Sequence, residues 1–343
     1  MRVAVVNDSR LAAESLCQVI TGSGRHQVAW VAEDGVEAVR RCAADRPELI
    51  LMDLIMPRQN GVEATRQIMA KSPCAILVVT SSVTDNAAMV FEAMGAGALD
   101  AINTPILGLN GRGDGSAALL HKIDVIARLI DAPPQPARTA PTASAPRSAS
   151  GGRPPLIAIG ASTGGPAALR SLLAPLPADL PAALVIVQHV DAQFAPSFAA
   201  WLGEQTALSV QLAEPGDRPE PGRVLVAGRE DHLILTADGT LEYTPEPARY
   251  AYRPSVNVFF ESVAQHWRGR AIGVLLTGMG RDGGAGLMAL RRAGCHTIAQ
   301  DKASSAIYGM PKAAAELGAA VEILSLDAIG PAVLKSLDRP LTV

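Results

Sequence analysis

Between residues 131 and 153 the chain reads DAPPQPARTAPTASAPRSASGGR, a run of proline, alanine and serine without apolar periodicity. Such a segment has nothing with which to fill a core, so it is expected to be an extended, mobile linker. It parts the 343 residues into two stretches, 1–130 and 154–343, each of ordinary domain size and each obliged to bury its own apolar centre.

The chain is 48% apolar but only 3% aromatic, so small and branched aliphatic residues must do the packing, as they do in parallel sheets covered by helices. In the first stretch VAVV, VAWV, LILMD, AILVVT and ALDAI read as strands. Amphipathic segments near 11–20, 35–44, 62–70, 87–94 and 117–130 alternate with them, predicting five strand-helix units in one doubly wound parallel sheet. The second stretch predicts a further α/β domain with a mainly parallel sheet. Its strands are LIAIG, ALVIVQHV, RVLVAG, HLILT, AIGVLLTG and HTIAQD, with helices near 166–173, 195–202, 256–266 and 286–292.

A net charge of −3 with acids and bases intermixed gives no footprint for nucleic acid. Cys17, Cys42, Cys74 and Cys295 form no Cys-x-x-Cys pair, which argues against a zinc site or a disulfide framework. No apolar run reaches the length of a membrane span and no export signal precedes the first strand. The expectation is therefore a cytoplasmic protein without direct membrane insertion.

Two groups of residues carry chemistry. In the first domain, Asn7 and Asp8 end one predicted strand and Asp53 ends another, and the doubly wound order makes those ends neighbours. One such aspartate alone is more often a turn or cap residue, but the pair gathers hard oxygen ligands suited to Mg²⁺. In the second domain, LIAIG runs into GASTGGP, placing Ser162 on a strand-to-helix turn with Pro166 opening the helix. A glycine-serine turn before a helix is more often a phosphate cradle or plain tight packing, although Pro166 excludes a Walker loop. ALVIVQ delivers His189 at its carboxyl end, with His232 as the fallback base, and AIGVLLT delivers Asp282 on the loop GMGRDGG. Asp282 alone would pass for a helix cap; three strand ends contributing Ser, His and Asp suggest a nucleophile, a base and an orienting carboxylate. A rival reading takes Gly278-x-Gly280-x-x-Gly283 with Asp301 as a dinucleotide fingerprint.

With Asp8, LILMDLIMP, Thr80 and LDAINTP, residues 1–130 resemble the flavodoxin-like receiver domain of two-component response regulators. The resemblance implies that Asp53 accepts phosphate from a CheA-type histidine kinase. Asp8, Asp53 and the carbonyl of Ile55 would hold Mg²⁺, and Thr80 would sense the phosphoryl group. Two departures stand out: Asn7 where the pattern has a second acid, and Thr104 where it has a lysine, whose point charge a threonine cannot supply.

GASTGGP, VQHV, RPSVNVFFESVA, LLTGMGRDG and AQDKASSAIYGMPKAA, which together cover most of residues 154–325, resemble the catalytic domain of the chemotaxis protein-glutamate methylesterase family, CheB, and make 154–343 the expected methylesterase domain. That resemblance implies Ser162 as nucleophile, His189 as general base and acid, and Asp282 as orienting carboxylate. Thr163, Met279 and Gly280 would form the oxyanion and active-site loop, with the Met279 N–H as donor, and the ester chemistry would need no cofactor. The implied substrate is the γ-methyl ester of glutamate on the helical bundle of methyl-accepting chemotaxis receptors, with glutamine deamidation as a second activity. VVNDS, PCAILVVTSSV and GALDAINTP look closer to the branch of Wsp-type surface-sensing systems, whose output is a diguanylate cyclase. The linker suggests that the receiver covers the esterase crevice until Asp53 is phosphorylated. The competing class is an inactive, receptor-docking module.

Overall fold

The computed structural model describes residues 1–83, 85–105, 115–131, 153–248, 250 and 252–338, and the chain divides into two compact units, Met1–Gln135 and Pro136–Val343. Nearly all of the expected linker lies outside the described residues.

The first unit alternates strand and helix five times: β1 (Arg2–Val6), α1 (Arg10–Gly22), β2 (Gln27–Ala32), α2 (Gly35–Ala44), β3 (Leu49–Met52), α3 (Gly61–Lys71), β4 (Ala75–Thr80), α4 (Ala87–Gly95), β5 (Asp100–Asn103) and α5 (Ser116–Asp131). Short polar residues start the first three helices. The side chains of Ser9, Asp34 and Asn60 accept from the N–H groups of Ala12, Glu37 and Glu63, satisfying donors that no carbonyl of the helix can reach. The sheet order is β2-β1-β3-β4-β5 and every pairing is parallel. Helices therefore cover both faces, and the strands read as continuous apolar runs: Val3 to Val6 and Leu49 to Met52 are fully buried. Val6 pairs with Met52, so the residues that follow, Asn7-Asp8 and Asp53, leave the sheet side by side at its switch point.

The second unit has nine strands and six α-helices among the described residues. They are β6 (Leu156–Ala161), α6 (Gly165–Leu173), β7 (Ala183–Gln188), α7 (Ala195–Gly203), β8 (Ser209–Leu212), β9 (Arg223–Val226), β10 (His232–Leu235), β11 (Leu241–Thr244), α8 (Val256–His266), β12 (Ala271–Leu275), α9 (Gly284–Arg292), β13 (His296–Gln300), α10 (Met310–Glu316), β14 (Glu322–Leu324) and α11 (Leu326–Asp338). Seven strands form one parallel sheet in the order β14-β13-β12-β6-β7-β9-β8. HLILT, expected among the strands of the second domain, instead pairs antiparallel with β11 as a separate hairpin. At the centre, β6 and β7 are buried along their whole length.

The glycines after β12 serve helix packing. A Cβ on Gly283 would come within 2.4 Å of Leu275 and 2.9 Å of Val256, and one on Gly286 within 2.7 Å of Phe260. These missing side chains let α8 lie close against β12 and α9. Gly283 also has φ +85, a conformation that favours glycine.

Candidate functional site

In the first unit Asp53 is partly buried, and its Oδ1 accepts from the N–H of Leu54 at 2.7 Å. Burial, with the like charge of Asp8 adding to it, pushes its carboxyl up from 3.8 to about 6 against backbone hydrogen bonds that pull the other way. Asp8 itself is exposed, whereas Asn7 is buried with Oδ1 held by the N–H of Ser9. Thr80 is buried at the end of β4, where its hydroxyl accepts from Asn86, and the neighbouring β5 brings Thr104 alongside through a 2.8 Å bond to the Thr80 carbonyl. Ile55 is half exposed. Among the described residues no group of three or more His, Cys, Asp or Glu could hold a metal. The available donors are two carboxylates and a carbonyl, and the raised Asp53 carboxyl is one that a hard cation retaining its waters would draw into the ionised form. The set fits Mg²⁺.

In the second unit the register Ala161↔Gln188 between β6 and β7 makes Ser162 and His189 the next residues on adjacent strand ends. Ser162 donates its N–H to the carbonyl of Thr277, beyond the end of β12 on the other side. Gln188, wholly buried, donates through one amide nitrogen to the carbonyls of both Ser162 (3.0 Å) and His189 (3.1 Å). Thr277 fastens the loop from the far side, its hydroxyl donating to Thr163 and accepting from Ile307. Gly278 lies directly against the serine: a Cβ there would be 2.9 Å from Ser162 Cβ and 2.3 Å from Met310 Sδ. That crowding gives Gly278 a packing reason for lacking a side chain. Asp301, the acid of the dinucleotide reading, is bonded to Ser304 in its own turn.

Asp282 does not cap the helix that follows it, α9, whose N-cap is Gly283. It caps α8 instead. Oδ1 accepts from the Ser255 hydroxyl (2.8 Å) and the Asn257 N–H (3.1 Å), and Oδ2 from the Val256 N–H (2.7 Å) and the His189 ring Nε2 (2.9 Å). Burial penalises the charge, yet the His189 bond and interaction, together with the Asn257 and Ser255 donors, outweigh it and hold the carboxyl below the ordinary aspartate range. The helix end adds a favourable partial positive charge.

With Nε2 of His189 committed to Asp282, Nδ1 is the ring nitrogen left over. That atom is buried and has no hydrogen-bond partner among the described residues. The Ser162 hydroxyl makes no hydrogen bond to it, so the two strand ends are juxtaposed without being closed into a chain. The Tyr252 ring stacks on the imidazole at 4.3 Å between centroids and 7° between planes, fixing its plane from one face. Ser162, Thr163 and Asp282 are all buried, and Gly280 takes φ +82. The N–H of Met279 has no acceptor among the described residues. Gln188, Ser255 and Tyr252 escaped the sequence reading. Of the three only Ser255 left a signal, a serine immediately before an apolar helical pattern.

A receiver-type sheet with acids at its switch point, followed by an α/β domain with serine, histidine and aspartate at its strand ends, defines a response regulator with a hydrolase-type output domain. Residues 157–333 match the family described as CheB methylesterase and residues 3–107 that described as response regulator receiver domain. A protein from Burkholderia orbicola named protein-glutamate methylesterase/protein-glutamine glutaminase 2 is 59% identical over 330 residues, covering 96% of this chain and 97% of its own. One from Pseudomonas aeruginosa, named protein-glutamate methylesterase/protein-glutamine glutaminase 3, is 53% identical over 338 residues, covering 98% and 100%. The CheB methylesterase catalytic domain of Thermotoga maritima superposes with a TM-score of 0.51 at 34% identity, covering 53% of this chain and 97% of that domain. The chain belongs to the CheB methylesterase family. These similarities do not separate out the Wsp-type branch suggested by the receiver motifs.

Proposed function

We propose that the chain is a phosphorylation-regulated protein-glutamate methylesterase acting on chemoreceptors, and that Ser162, His189 and Asp282 perform the hydrolysis. The observation that carries the reading is the hydrogen bond of His189 Nε2 to an ionised, four-donor Asp282. It leaves Nδ1 as the unpartnered ring nitrogen that would serve as base for Ser162, the residue after the adjoining strand. On substrate binding the Ser162 hydroxyl loses its proton to Nδ1 and attacks the ester carbonyl, and the buried carboxylate stabilises the imidazolium. The Met279 N–H, on a loop made approachable by Gly278 and Gly280, donates to the developing oxyanion, an interaction typically contributing ~3 kcal/mol to the transition state. His189 then protonates departing methanol, and water repeats the sequence on the acyl-enzyme to regenerate glutamate. Attack on a glutamine amide by the same route would release ammonia, giving the glutaminase activity.

A receiver domain of this kind implies Mg²⁺-dependent phosphorylation by a histidine kinase. Asp8, Asp53 and the Ile55 carbonyl would hold the ion, which supplies charge neutralisation for the incoming phosphoryl group, and Thr80 would engage that group. The full chain is incubated with membranes carrying tritium-methylated chemoreceptor, with and without Mg²⁺ and a small phosphodonor, and volatile methanol is counted. The expected result is release that rises with phosphodonor, fails to rise in Asp53→Asn and vanishes in Ser162→Ala with native circular dichroism. Turnover retained by Ser162→Ala contradicts the nucleophile assignment.

A further inference from the structure

His232, the alternative base of the sequence reading, has another role. Its side chain is fully buried, and its Nδ1 accepts the backbone N–H of Ser255 at 3.1 Å. Ser255 is the N-cap of α8: its hydroxyl accepts from the Val258 N–H and donates to Asp282, and the next two N–H groups of the chain donate to the same carboxylate. An acceptor is needed at that point because an N-cap's own N–H projects away from the helix it starts, and a buried donor left alone is costly. We propose that His232 is a positioning residue for the esterase reaction, fixing the Ser255 turn so that the first N–H groups of α8 aim Asp282 at His189. The inference rests on the assignment of Asp282 to the catalytic group.

The role requires a neutral imidazole with its proton on Nε2, since an imidazolium has no lone pair to offer. Burial holds the His232 pKa below its ordinary value, outweighing a hydrogen bond to the Pro247 backbone and the charges of Asp282 and Asp231, which pull upward, while Arg253 acts with burial, so the ring keeps its acceptor at neutral pH. Tyr250 meets the ring edge-on at 6.1 Å and 82°. A base, by contrast, would need its lone pair open to substrate, and here that lone pair is occupied.

Two variants of similar polarity separate the roles. In His232→Asn the amide oxygen can take the place of Nδ1; in His232→Gln it reaches only the position of Nε2. With full-length protein, phosphodonor and tritium-methylated receptor membranes, His232→Asn is expected to stay within about threefold of the parent kcat. His232→Gln is expected to lose about tenfold or more in kcat with KM changed by less than about twofold. The low-field proton resonance of the His189–Asp282 bond should persist in the Asn variant and broaden or move upfield in the Gln variant. A purely structural contribution would leave that signal in place. Equal activities for the two variants, including equal loss, or a defect confined to KM, overturn the proposal. Should Ser162→Ala retain turnover, it is the catalytic assignment that has failed, and that result is read independently of His232.

Discussion

Replacing Asp282 by asparagine alters one atom and removes one charge, and the surroundings of that carboxylate make the consequence calculable. Each oxygen receives two donors: Ser255 Oγ and the Asn257 N–H on Oδ1, the Val256 N–H and His189 Nε2 on Oδ2. An amide NH₂ turned toward Oδ1 can donate to a rotated Ser255 hydroxyl but strands the Asn257 N–H, a buried donor whose loss costs about 1–3 kcal/mol. Turned toward Oδ2, it strands the Val256 N–H and forces His189 to accept at Nε2, which places the ring proton on Nδ1, where the serine proton must go. Either way the charge that stabilises the imidazolium is gone, so kcat should fall by a factor on the order of 10³–10⁴, as in other triads stripped of their carboxylate charge. Stability should show a matching pH signature. Because the folded carboxyl sits below its unfolded value, its stabilisation is present above about pH 4 and lost as pH falls through the folded pKa. The variant should therefore lack that acid loss. The assay is methanol release by the full chain alongside calorimetric unfolding between acid and neutral pH. Activity within about tenfold of the parent, or an unchanged acid transition, would refute the reasoning.

Gly278→Ala places a methyl group 2.3 Å from Met310 Sδ and 2.9 Å from Ser162 Cβ, so turnover should drop about tenfold or more while calorimetry finds a loss of about 1–3 kcal/mol at most. In EDTA, Asp53→Asn should raise receiver stability at pH 7. The carboxyl moves from 3.8 to about 6 on folding, a shift equivalent to ~3 kcal/mol that residual solvent exposure reduces to about 1–2. That advantage should be absent below about pH 4, grow as pH rises from there and be complete above about 6, followed by amide exchange in β1 and β3. Thr104→Lys, which restores a cation beside Thr80, should change the amount of phosphoryl label held at Asp53 under small-phosphodonor conditions. Unaltered labelling would mean that this position is not within reach of the phosphate.

How far the sequence could be read follows from what each segment buries. Continuous apolar runs such as LILM and ALVIVQ announced central parallel strands, and α8 was legible to the residue because VNVFFESVAQH keeps a helical period after a serine cap. The edge strands β8 and β14 were missed because they are short and only partly buried, leaving no pattern of sufficient length. In α11 the pair Gly330-Pro331 interrupts the sequence that would otherwise have read as a helix. At the site, sequence order delivered Ser162, His189 and Asp282 to neighbouring strand ends. It could not reveal that Asp282 caps α8 rather than α9, that Nε2 rather than Nδ1 of His189 takes the carboxylate, or that Gln188 ties two carbonyls together. Those facts depend on contacts between elements roughly 25 to 95 residues apart, which no local pattern encodes.

The most direct test of the account is the intact mass and peptide map of the full chain after treatment with a serine-directed acylating probe. Stoichiometric modification of the peptide bearing Ser162, slowed by His189→Gln and lost in Ser162→Ala, is the predicted result. Labelling that spares Ser162, or proceeds at the same rate without the imidazole, would contradict it.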